Sequence, residues 1–191
     1  MKEITKKGNL VRLLDLDQEF IIDLKYATED NFTKSKVYDS PECYIDENTA
    51  VNLIRAKNIL KSKGFGVKIW DAYRPVSAQQ KFWDLVPNTT FVARPPDMKT
   101  FTDFRNSHMN GQCVDVSLVS LNGEEIPMPS KFDDFSPRAR LDFEGTQGEA
   151  RKNAEILRDS MVEAGFEPYD GEWWHFYDRN TSPVKYSDIK F

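Results

Sequence analysis

The sequence predicts an α+β fold, in which about three helices pack against a central, mostly antiparallel sheet. Apolar residues recur at helical spacing in two segments, a capping-box spacing indicates one more helix, and four further segments have the alternation or the aromatic content of strands. The pair Asn122-Gly123, directly after one of these strands, is a typical signal of a tight hairpin. With 191 residues, of which 39% are hydrophobic, the chain can bury a sizeable core, and we expect one domain over residues 1–191.

The N-terminal third is predicted to contain a strand, a long loop and the first helix. Residues 20–24 suggest a strand, and a polar loop follows through Pro41. Loops of that length inside a compact domain are often functional. The first clear helix covers residues 46–64, where apolar residues fall near helical spacing and Gly64 supplies the stop.

A strand and a second helix follow directly. Residues 67–73 alternate as a strand does, and the strand ends at Arg74-Pro75 because proline cannot continue the hydrogen-bonded ladder. Ser77 and Gln80 have the spacing of a capping box, which predicts a helix up to about Val86. The end of a strand before a helix is a usual place for a functional residue, although a surface salt bridge is the alternative for the arginine.

The second strong strand, residues 111–121, divides its side chains between two faces. Its aliphatic residues share one face, and Asp115 lies on the other. A carboxylate on a strand with this much burial needs a partner, and a metal ion is one. Gly111 would permit the close turn that brings His108 back towards Asp115.

The remaining predicted elements lie after the hairpin signal. Residues 123–129 are candidates for a short return strand. Residues 148–165 have the apolar spacing of a third helix, which ends at a glycine as helices commonly do. Aromatic residues in the segment 172–177 favour a last strand.

The two histidines of the chain each lie near a carboxylate. His108 precedes Asp115 by seven residues, and Glu172 precedes His175 by three. Two imidazoles and a carboxylate are a common ligand set for catalytic zinc, and a second carboxylate off the metal could activate a water in the open position. The alternative is that each histidine is a packed core residue. Because a flat strand would put Glu172 and His175 on opposite faces, a shared site requires a bulge near Trp173 or a turn before the strand.

Composition argues against several classes of partner. A net charge of -5 without a basic run argues against nucleic acid, and no apolar stretch approaches the length that spans a bilayer, so we expect no membrane partner. Residues 1–7 are basic but lack the apolar segment of a signal peptide, so we expect a cytoplasmic protein unless a leader has been removed. Cys43 and Cys113 are most simply reduced thiols, although a disulfide between them stays open.

Five segments of the chain, taken in order, match the pattern of a known family. They are Lys25-Tyr26-Ala27-Thr28 with Asp30-Asn31-Phe32, Trp70-Asp71-Ala72-Tyr73-Arg74-Pro75, Ser107-His108 with Gly111 and Asp115, Phe132-Asp133, and Glu172-Trp173-Trp174-His175. The chain thereby resembles the zinc D-alanyl-D-alanine dipeptidases, the type associated with vancomycin resistance within the wider group of zinc D,D-peptidases. The resemblance covers most of the chain. It implies a zinc site at the sheet and hydrolysis of a small dipeptide, D-alanyl-D-alanine, to two D-alanines.

The resemblance also implies roles for the metal and catalytic positions. One zinc ion per chain would be held by His108, Asp115 and His175. Glu172 would be the catalytic base. Arg74 would stabilise the oxyanion, which its permanent positive charge suits chemically.

The pocket positions are implied in the same way. Tyr26, Ser107 and Asp133 match positions that line the dipeptide pocket of the family. An acidic loop around Asp133 could hold the ammonium of a free dipeptide, whereas without the resemblance a solvated surface turn is the simpler interpretation. One departure is visible, because Asn106 stands where a second small hydroxyl residue is expected beside Ser107. This departure bears on substrate preference.

Two other functions stay open at this point. A D,D-carboxypeptidase would use the same chemistry to remove the last D-alanine from peptidoglycan precursor peptides. A non-catalytic zinc-binding or ligand-binding module would use the metal to support the fold. The sequence does not decide the oligomeric state, or whether the setting is antibiotic resistance or D-amino-acid salvage.

Overall fold

The computed structural model describes residues 3–89 and 92–191, and within them eight strands form two sheets. The strands are β1 (Lys6–Lys7), β2 (Leu10–Arg12), β3 (Ile21–Ile22), β4 (Tyr44–Asp46), β5 (Phe65–Asp71), β6 (Cys113–Ser120), β7 (Phe166–Tyr169) and β8 (Glu172–Asp178). The main sheet has the order β3-β5-β6-β8-β7, and within it only the β3–β5 pair is parallel. The smaller, antiparallel sheet has the order β1-β2-β4.

Four α-helices accompany these sheets in the described part of the chain. They are α1 (Leu13–Leu16), α2 (Glu47–Ser62), α3 (Val76–Leu85) and α4 (Gly148–Ala164). The three longer helices correspond to the three predicted helices, so the α+β fold with a mostly antiparallel central sheet is confirmed. Among the described residues, no helix has both the length and the apolar character needed to cross a bilayer.

The main hydrophobic core lies where α2 and α4 pack together and against the main sheet. Leu53 and Leu60 from α2, Leu157 and Met161 from α4, and Val116 from β6 are all completely buried. Each such aliphatic side chain stabilises the fold by about 1.5–3 kcal/mol relative to an exposed one. Since the aliphatic side chains of β6 occupy this core, the alternating residues of that strand are free to build a site on the opposite face.

The turn before β6 is fastened to the smaller sheet. Asp46, the N-cap of α2, accepts hydrogen bonds from the backbone N–H groups of Asn48 and Thr49, and its own backbone N–H donates to the carbonyl of Gly111 at 3.0 Å. Gly111 has a φ of 75°, and a Cβ atom there would lie 2.7 Å from the backbone nitrogen of Asp46. Only glycine fits both this backbone conformation and the available space. The close turn predicted at Gly111 is therefore confirmed.

The capping box predicted for α3 is wrong. The helix begins at Val76, and its N-cap is Pro75, which lies two residues before Ser77 and makes no side-chain cap. The C-terminal segment takes over this function, because the Ser187 carbonyl accepts from the backbone N–H of Val76 and the Asp188 carboxylate accepts from that of Ser77. A tertiary contact from more than a hundred residues away therefore replaces a local one.

The short return strand predicted after the hairpin is also absent from the described residues. Gly123 turns the chain with a φ of 86°, but only one isolated bridge, between Val119 and Glu125, follows. Pro127 and Pro129 cannot donate to a ladder, and they end the pairing before a strand can form.

The last strand, β8, contains the irregularity that a shared site requires. In its pairing with β7, Pro168 lies opposite Phe176, and the next residue, Tyr169, lies opposite Glu172. Three residues of β8 therefore have no partner on β7, and the adjacent Trp173 and Trp174 are both buried. The strand bulges, and this bulge removes the strict alternation that would separate Glu172 from His175.

Cys43 and Cys113 are both buried and carry free thiols. Burial raises the pKa of each thiol, so both are inert at neutral pH. The interpretation as reduced thiols agrees with the structure.

Candidate active site

A short 3-10 turn, His108–Asn110, carries the first histidine. The Ser107 hydroxyl accepts a hydrogen bond from the backbone N–H of Met109 at 3.2 Å, and the Asn110 side chain accepts one from the backbone N–H of Ser107 at 3.0 Å. This reciprocal capping satisfies donors at the start of the turn, and Gly111 closes it in the left-handed conformation. The backbone at His108 is therefore fixed on both sides.

The ring of His108 is oriented by one backbone contact. Its Nδ1 lies 2.7 Å from the carbonyl oxygen of Ala72, and because a carbonyl only accepts, Nδ1 carries the proton. In the neutral ring the lone pair is then on Nε2, which lies 3.1 Å from Nδ1 of His175 and 3.3 Å from Oδ1 of Asp115. The Nε2 lone pair of His108 and the carboxylate oxygen of Asp115 are both electron donors, and a cation bound between them would stabilise this arrangement.

Asp115 and His175 complete the cluster from neighbouring strands. They lie directly opposite each other in the β6–β8 pair, with Oδ1 of Asp115 2.8 Å from Nδ1 of His175. Burial opposes ionisation of Asp115, but the two histidines hold its pKa well below the ordinary value. The three ligand atoms of His108, Asp115 and His175 all lie within 4.8 Å of one another, so these residues could hold a metal ion.

Glu172 lies beside this cluster without being part of it. Its Oε2 is 3.9 Å from Nδ1 of His175, and its side chain is 29% exposed. Burial raises the pKa of Glu172 to about 7, although His175 acts in the opposite direction. A carboxyl group that titrates near neutrality can accept a proton and return it, and a bound divalent cation would lower this pKa.

Arg74 lies three residues after the end of β5 and is held in a largely buried network. Its Nε and Nη2 donate to Oδ2 of Asp71 at 2.9 and 2.6 Å, and Nη1 donates to Oε1 of Gln79 at 2.8 Å. Three of its N–H groups are thus engaged, which leaves one on each terminal nitrogen for a further acceptor. Burial lowers the pKa of Arg74, but the negative charge of Asp71 raises it, and the net shift is upward. The guanidinium therefore stays charged, with Nη2 3.8 Å from Oδ2 of Asp115.

The residues that orient Arg74 were not identified from the sequence. Asp71 is fully buried and also accepts from the Tyr38 hydroxyl at 2.7 Å, while Nε2 of Gln79 donates to the carbonyl of Ala93 at 2.6 Å. A carboxylate three residues before an arginine at a strand end was a usable signal for Asp71. No pattern in the sequence pointed to Gln79, because its role depends on where α3 packs.

Tyr26 and Asp133 form a second polar pair in the same region. The Tyr26 hydroxyl lies 3.0 and 3.2 Å from the two carboxylate oxygens of Asp133, and its ring packs on Phe82 with centroids 4.5 Å apart. Asp133 has a φ of 56°, a left-handed conformation that is uncommon outside glycine. Burial raises the pKa of Asp133 to about 7, although the hydrogen bond from Tyr26 acts in the opposite direction.

One cavity of about 530 Å³ connects these groups. All eight residues singled out from the sequence line it: Tyr26, Arg74, Ser107, His108, Asp115, Asp133, Glu172 and His175. They come from β6, β8 and four connecting segments, so no local stretch of sequence could build the cavity alone. The individual roles assigned to these residues stay predictions.

Asn106, the departure from the family pattern, also lines this cavity. Its amide nitrogen donates to the carbonyl oxygens of Asp178, the last residue of β8, and of Thr181, three residues further on. Its Oδ1 has no hydrogen-bond partner among the described residues. The amide thus ties the turn of His108 to the end of β8.

Two histidines and a carboxylate, with a separate carboxylate and a buried arginine beside them, define the kind of centre that metal-dependent hydrolases use. The chain belongs to the D-Ala-D-Ala dipeptidase family, whose model matches residues 6–190. The predicted family is therefore confirmed.

Individual proteins show the same relationship. A D-alanyl-D-alanine dipeptidase of Enterococcus faecium is 34% identical over 182 residues, covering 87% of this chain and 90% of the relative. One of Escherichia coli (strain K12) is 28% identical over 167 residues, covering 87% and 83%. Among solved structures, a zinc complex of a vancomycin-resistance D,D-pentapeptidase is similar with a TM-score of 0.46 and 15% identity, over 74% of this chain and 76% of that one.

Proposed function

We propose that this chain is a zinc-dependent dipeptidase that hydrolyses D-alanyl-D-alanine to two D-alanines. The observation that carries the proposal is the presence of a three-residue metal cluster, a separate carboxylate and a buried arginine in one cavity. The substrate class is that of the relatives that are named D-alanyl-D-alanine dipeptidases.

Each chain would hold one zinc ion at His108, Asp115 and His175. This donor set fits zinc because two imidazoles and a carboxylate leave a coordination position open. The contact from Nδ1 of His108 to the Ala72 carbonyl is the outer hydrogen bond that fixes the tautomer of a ligating histidine. When bound, zinc would supply Lewis-acid activation of a water molecule and of the scissile carbonyl.

Two side chains of the protein carry out the remaining steps, which are proton transfer and stabilisation of the developing negative charge. Glu172 accepts the proton of the attacking water and passes it to the nitrogen of the leaving D-alanine. The two free N–H groups of Arg74 offer fixed positive charge to the carbonyl oxygen as it becomes negative. Because Asp71 and Gln79 already hold the guanidinium, little reorganisation is needed when the charge develops.

The substrate's ammonium has a natural partner in the pair formed by Asp133 and Tyr26. Ionised Asp133 can accept from the ammonium, while the Tyr26 hydroxyl keeps the carboxylate in place. A longer peptide would present a neutral amide at this position and would leave the half-buried carboxylate of Asp133 without a charged partner. This difference favours a free dipeptide over a peptidoglycan precursor.

The other two functions are less well supported. A D,D-carboxypeptidase has no use for a buried carboxylate on the N-terminal side of the substrate. A non-catalytic module has no use for Glu172, since a structural zinc takes a closed shell of ligands and needs no free base.

The test of this function compares three substrates on the zinc-loaded protein. We expect D-alanine release from D-alanyl-D-alanine, and at least roughly a hundredfold lower kcat/KM for N-acetyl-D-alanyl-D-alanine, which lacks the ammonium. A pentapeptide precursor should be hydrolysed equally poorly. Release of D-alanine from the pentapeptide alone would instead identify a D,D-carboxypeptidase, and no release from any of the three would leave the metal-binding module.

Binding of the dipeptide should depend on pH through Asp133. Burial raises the pKa of this carboxyl from an ordinary 3.8 to about 7, so it is protonated below neutrality and affinity falls as pH falls through about 7. The ionised fraction of such a group rises about eightfold from roughly pH 6 to pH 7.5. The substrate ammonium, whose pKa is about 7.7, is still mostly protonated over this range. The measurement is calorimetry with zinc-loaded Glu172→Gln protein, which should not hydrolyse the dipeptide. Its affinity for the dipeptide should rise by up to about eightfold over this pH range.

The matched control for this titration is the double variant Glu172→Gln, Asp133→Asn. Its affinity should be lower throughout and should not change over the same pH range. If both proteins have the same pH dependence, the titrating group is not Asp133.

A further inference from the structure

A second cavity of about 650 Å³ lies beside the active site and shares Phe32 and Asp133 with it as lining residues. Its floor includes Lys68 and Trp70 from β5 and Ser117 from β6. Ser117 is two residues after Asp115 on the same strand, so the two cavities occupy the same face of the main sheet. Apart from the shared Asp133, no residue of this cavity takes part in the chemistry described above.

The floor of this second cavity is rich in buried hydrogen-bond donors. Lys68 is 8% exposed and lies opposite Ser117 in the β5–β6 pair, and the Ser117 hydroxyl has only a 3.5 Å contact with the carbonyl of Leu118. Trp70 is also 8% exposed, and its indole Nε1–H has no acceptor among the described residues. The Nε1 atom is shielded by neighbouring protein atoms, so the donors available to a ligand in this cavity are the Lys68 ammonium and the Ser117 hydroxyl, with the Trp70 ring as part of the wall.

The carboxylates near Lys68 come from more exposed side chains. Its Nζ lies 2.9 Å from Glu125, whose side chain is 80% exposed, and 3.9 Å from Asp23, whose side chain is 34% exposed. An exposed ion pair of this kind is weak, so a ligand can replace Glu125 at little cost.

The rim of the cavity adds positive charge. Lys34, Lys131 and Arg138 line it and form no ion pair within residues 3–89 and 92–191. The whole lining has five cationic and three acidic side chains, although the chain as a whole has a net charge of -5. A concave, positively charged region on an acidic protein concentrates anions.

We propose that this second cavity binds the oxyanion group of a small molecule, a carboxylate or a phosphate, with Lys68 and Ser117 as donors. An ammonium and a hydroxyl can both donate to such a group, and the ring of Trp70 forms part of the cavity wall beside them. The volume is larger than a bare ion needs, and Phe32 and Phe132 provide apolar contacts for the rest of the molecule.

The four tryptophans of the chain allow a direct test by NMR of the zinc-loaded protein. Acetate and inorganic phosphate are titrated separately, and the Trp70 indole N–H signal is assigned by its loss in Trp70→Phe. We expect a saturable shift of this signal with at least one of the two anions, since the Trp70 ring lines the cavity. A response to only one anion identifies the source of the oxyanion group.

Two charge variants and one control complete the experiment. Lys68→Met should weaken binding of the effective anion by roughly tenfold or more, and Arg138→Met, on the exposed rim, by about threefold. Lys99→Met, an exposed lysine outside the cavity, should leave the affinity unchanged. If Lys68→Met does not fold, the rim variant still decides.

Three results would overturn the proposal. The first is the absence of a saturable Trp70 shift with either anion. The second is a shift confined to Trp174, which lines the active-site cavity and would place the anion there. The third is an affinity that neither charge variant lowers.

Discussion

Zinc-loaded Glu172→Gln protein should lose roughly a thousandfold or more of kcat for D-alanyl-D-alanine, within the range that positioned general acid–base groups contribute. The amide has nearly the same shape as the carboxylate but cannot accept the proton of water. Without a bound cation, burial raises the pKa of Glu172 to about 7, and zinc would lower it, which keeps the carboxylate ionised and able to accept a proton at neutral pH. Zinc content should stay near one equivalent, because Glu172 is not one of the three ligands and its Oε2 lies 3.9 Å from Nδ1 of His175.

The matched control is Glu167→Gln, an exposed glutamate on β7 beside the same strand. Steady-state kinetics and metal analysis of both variants decide the matter. Full activity in Glu172→Gln would show that another group takes the proton. Loss of zinc together with activity would assign Glu172 to the ligand shell instead.

Arg74→Ala should lower kcat by roughly a hundredfold or more, the scale observed when one oxyanion donor is removed. Zinc should be retained, since arginine is not a ligand. KM should rise less than kcat falls, because the interaction is strongest when the carbonyl oxygen carries charge. Arg74→Lys should restore activity only in part, because an ammonium cannot bond Asp71 and Gln79 and still present two donors to the substrate.

Arg105 provides the control for this experiment. It lines the same cavity, but its side chain is 80% exposed, and Arg105→Ala should change kcat little. Near-normal kcat in Arg74→Ala would reduce that arginine to a structural ion pair with Asp71. A large loss of zinc would mean that the network holds the ligand cluster together, and the oxyanion role would be wrong.

The helices and strands illustrate what local pattern can predict. The apolar spacing of residues 46–64 and 148–165 predicted α2 and α4 to within two residues at each end, because burying a helical stripe depends on periodicity alone. The start of α3 was predicted wrongly, since its first N–H groups are satisfied by Ser187 and Asp188 from the C-terminal segment. A capping pattern read over a few neighbouring residues cannot predict partners that lie more than a hundred residues away in the sequence.

The candidate site divides in the same way. By itself, the sequence determined which residue types were available: two histidines, each near a carboxylate, and an arginine at a strand end. Catalytic zinc is bound by few combinations of residue types, so the presence of two histidines, each near a carboxylate, is enough to predict a zinc site. Only the tertiary structure decided that the three-residue bulge of β8 brings Glu172 near His175, and that Asp71 and Gln79 hold the arginine. The orphan donor of Trp70 likewise emerged only there, because burial and hydrogen-bond satisfaction depend on how distant segments pack and have no signature in residue spacing.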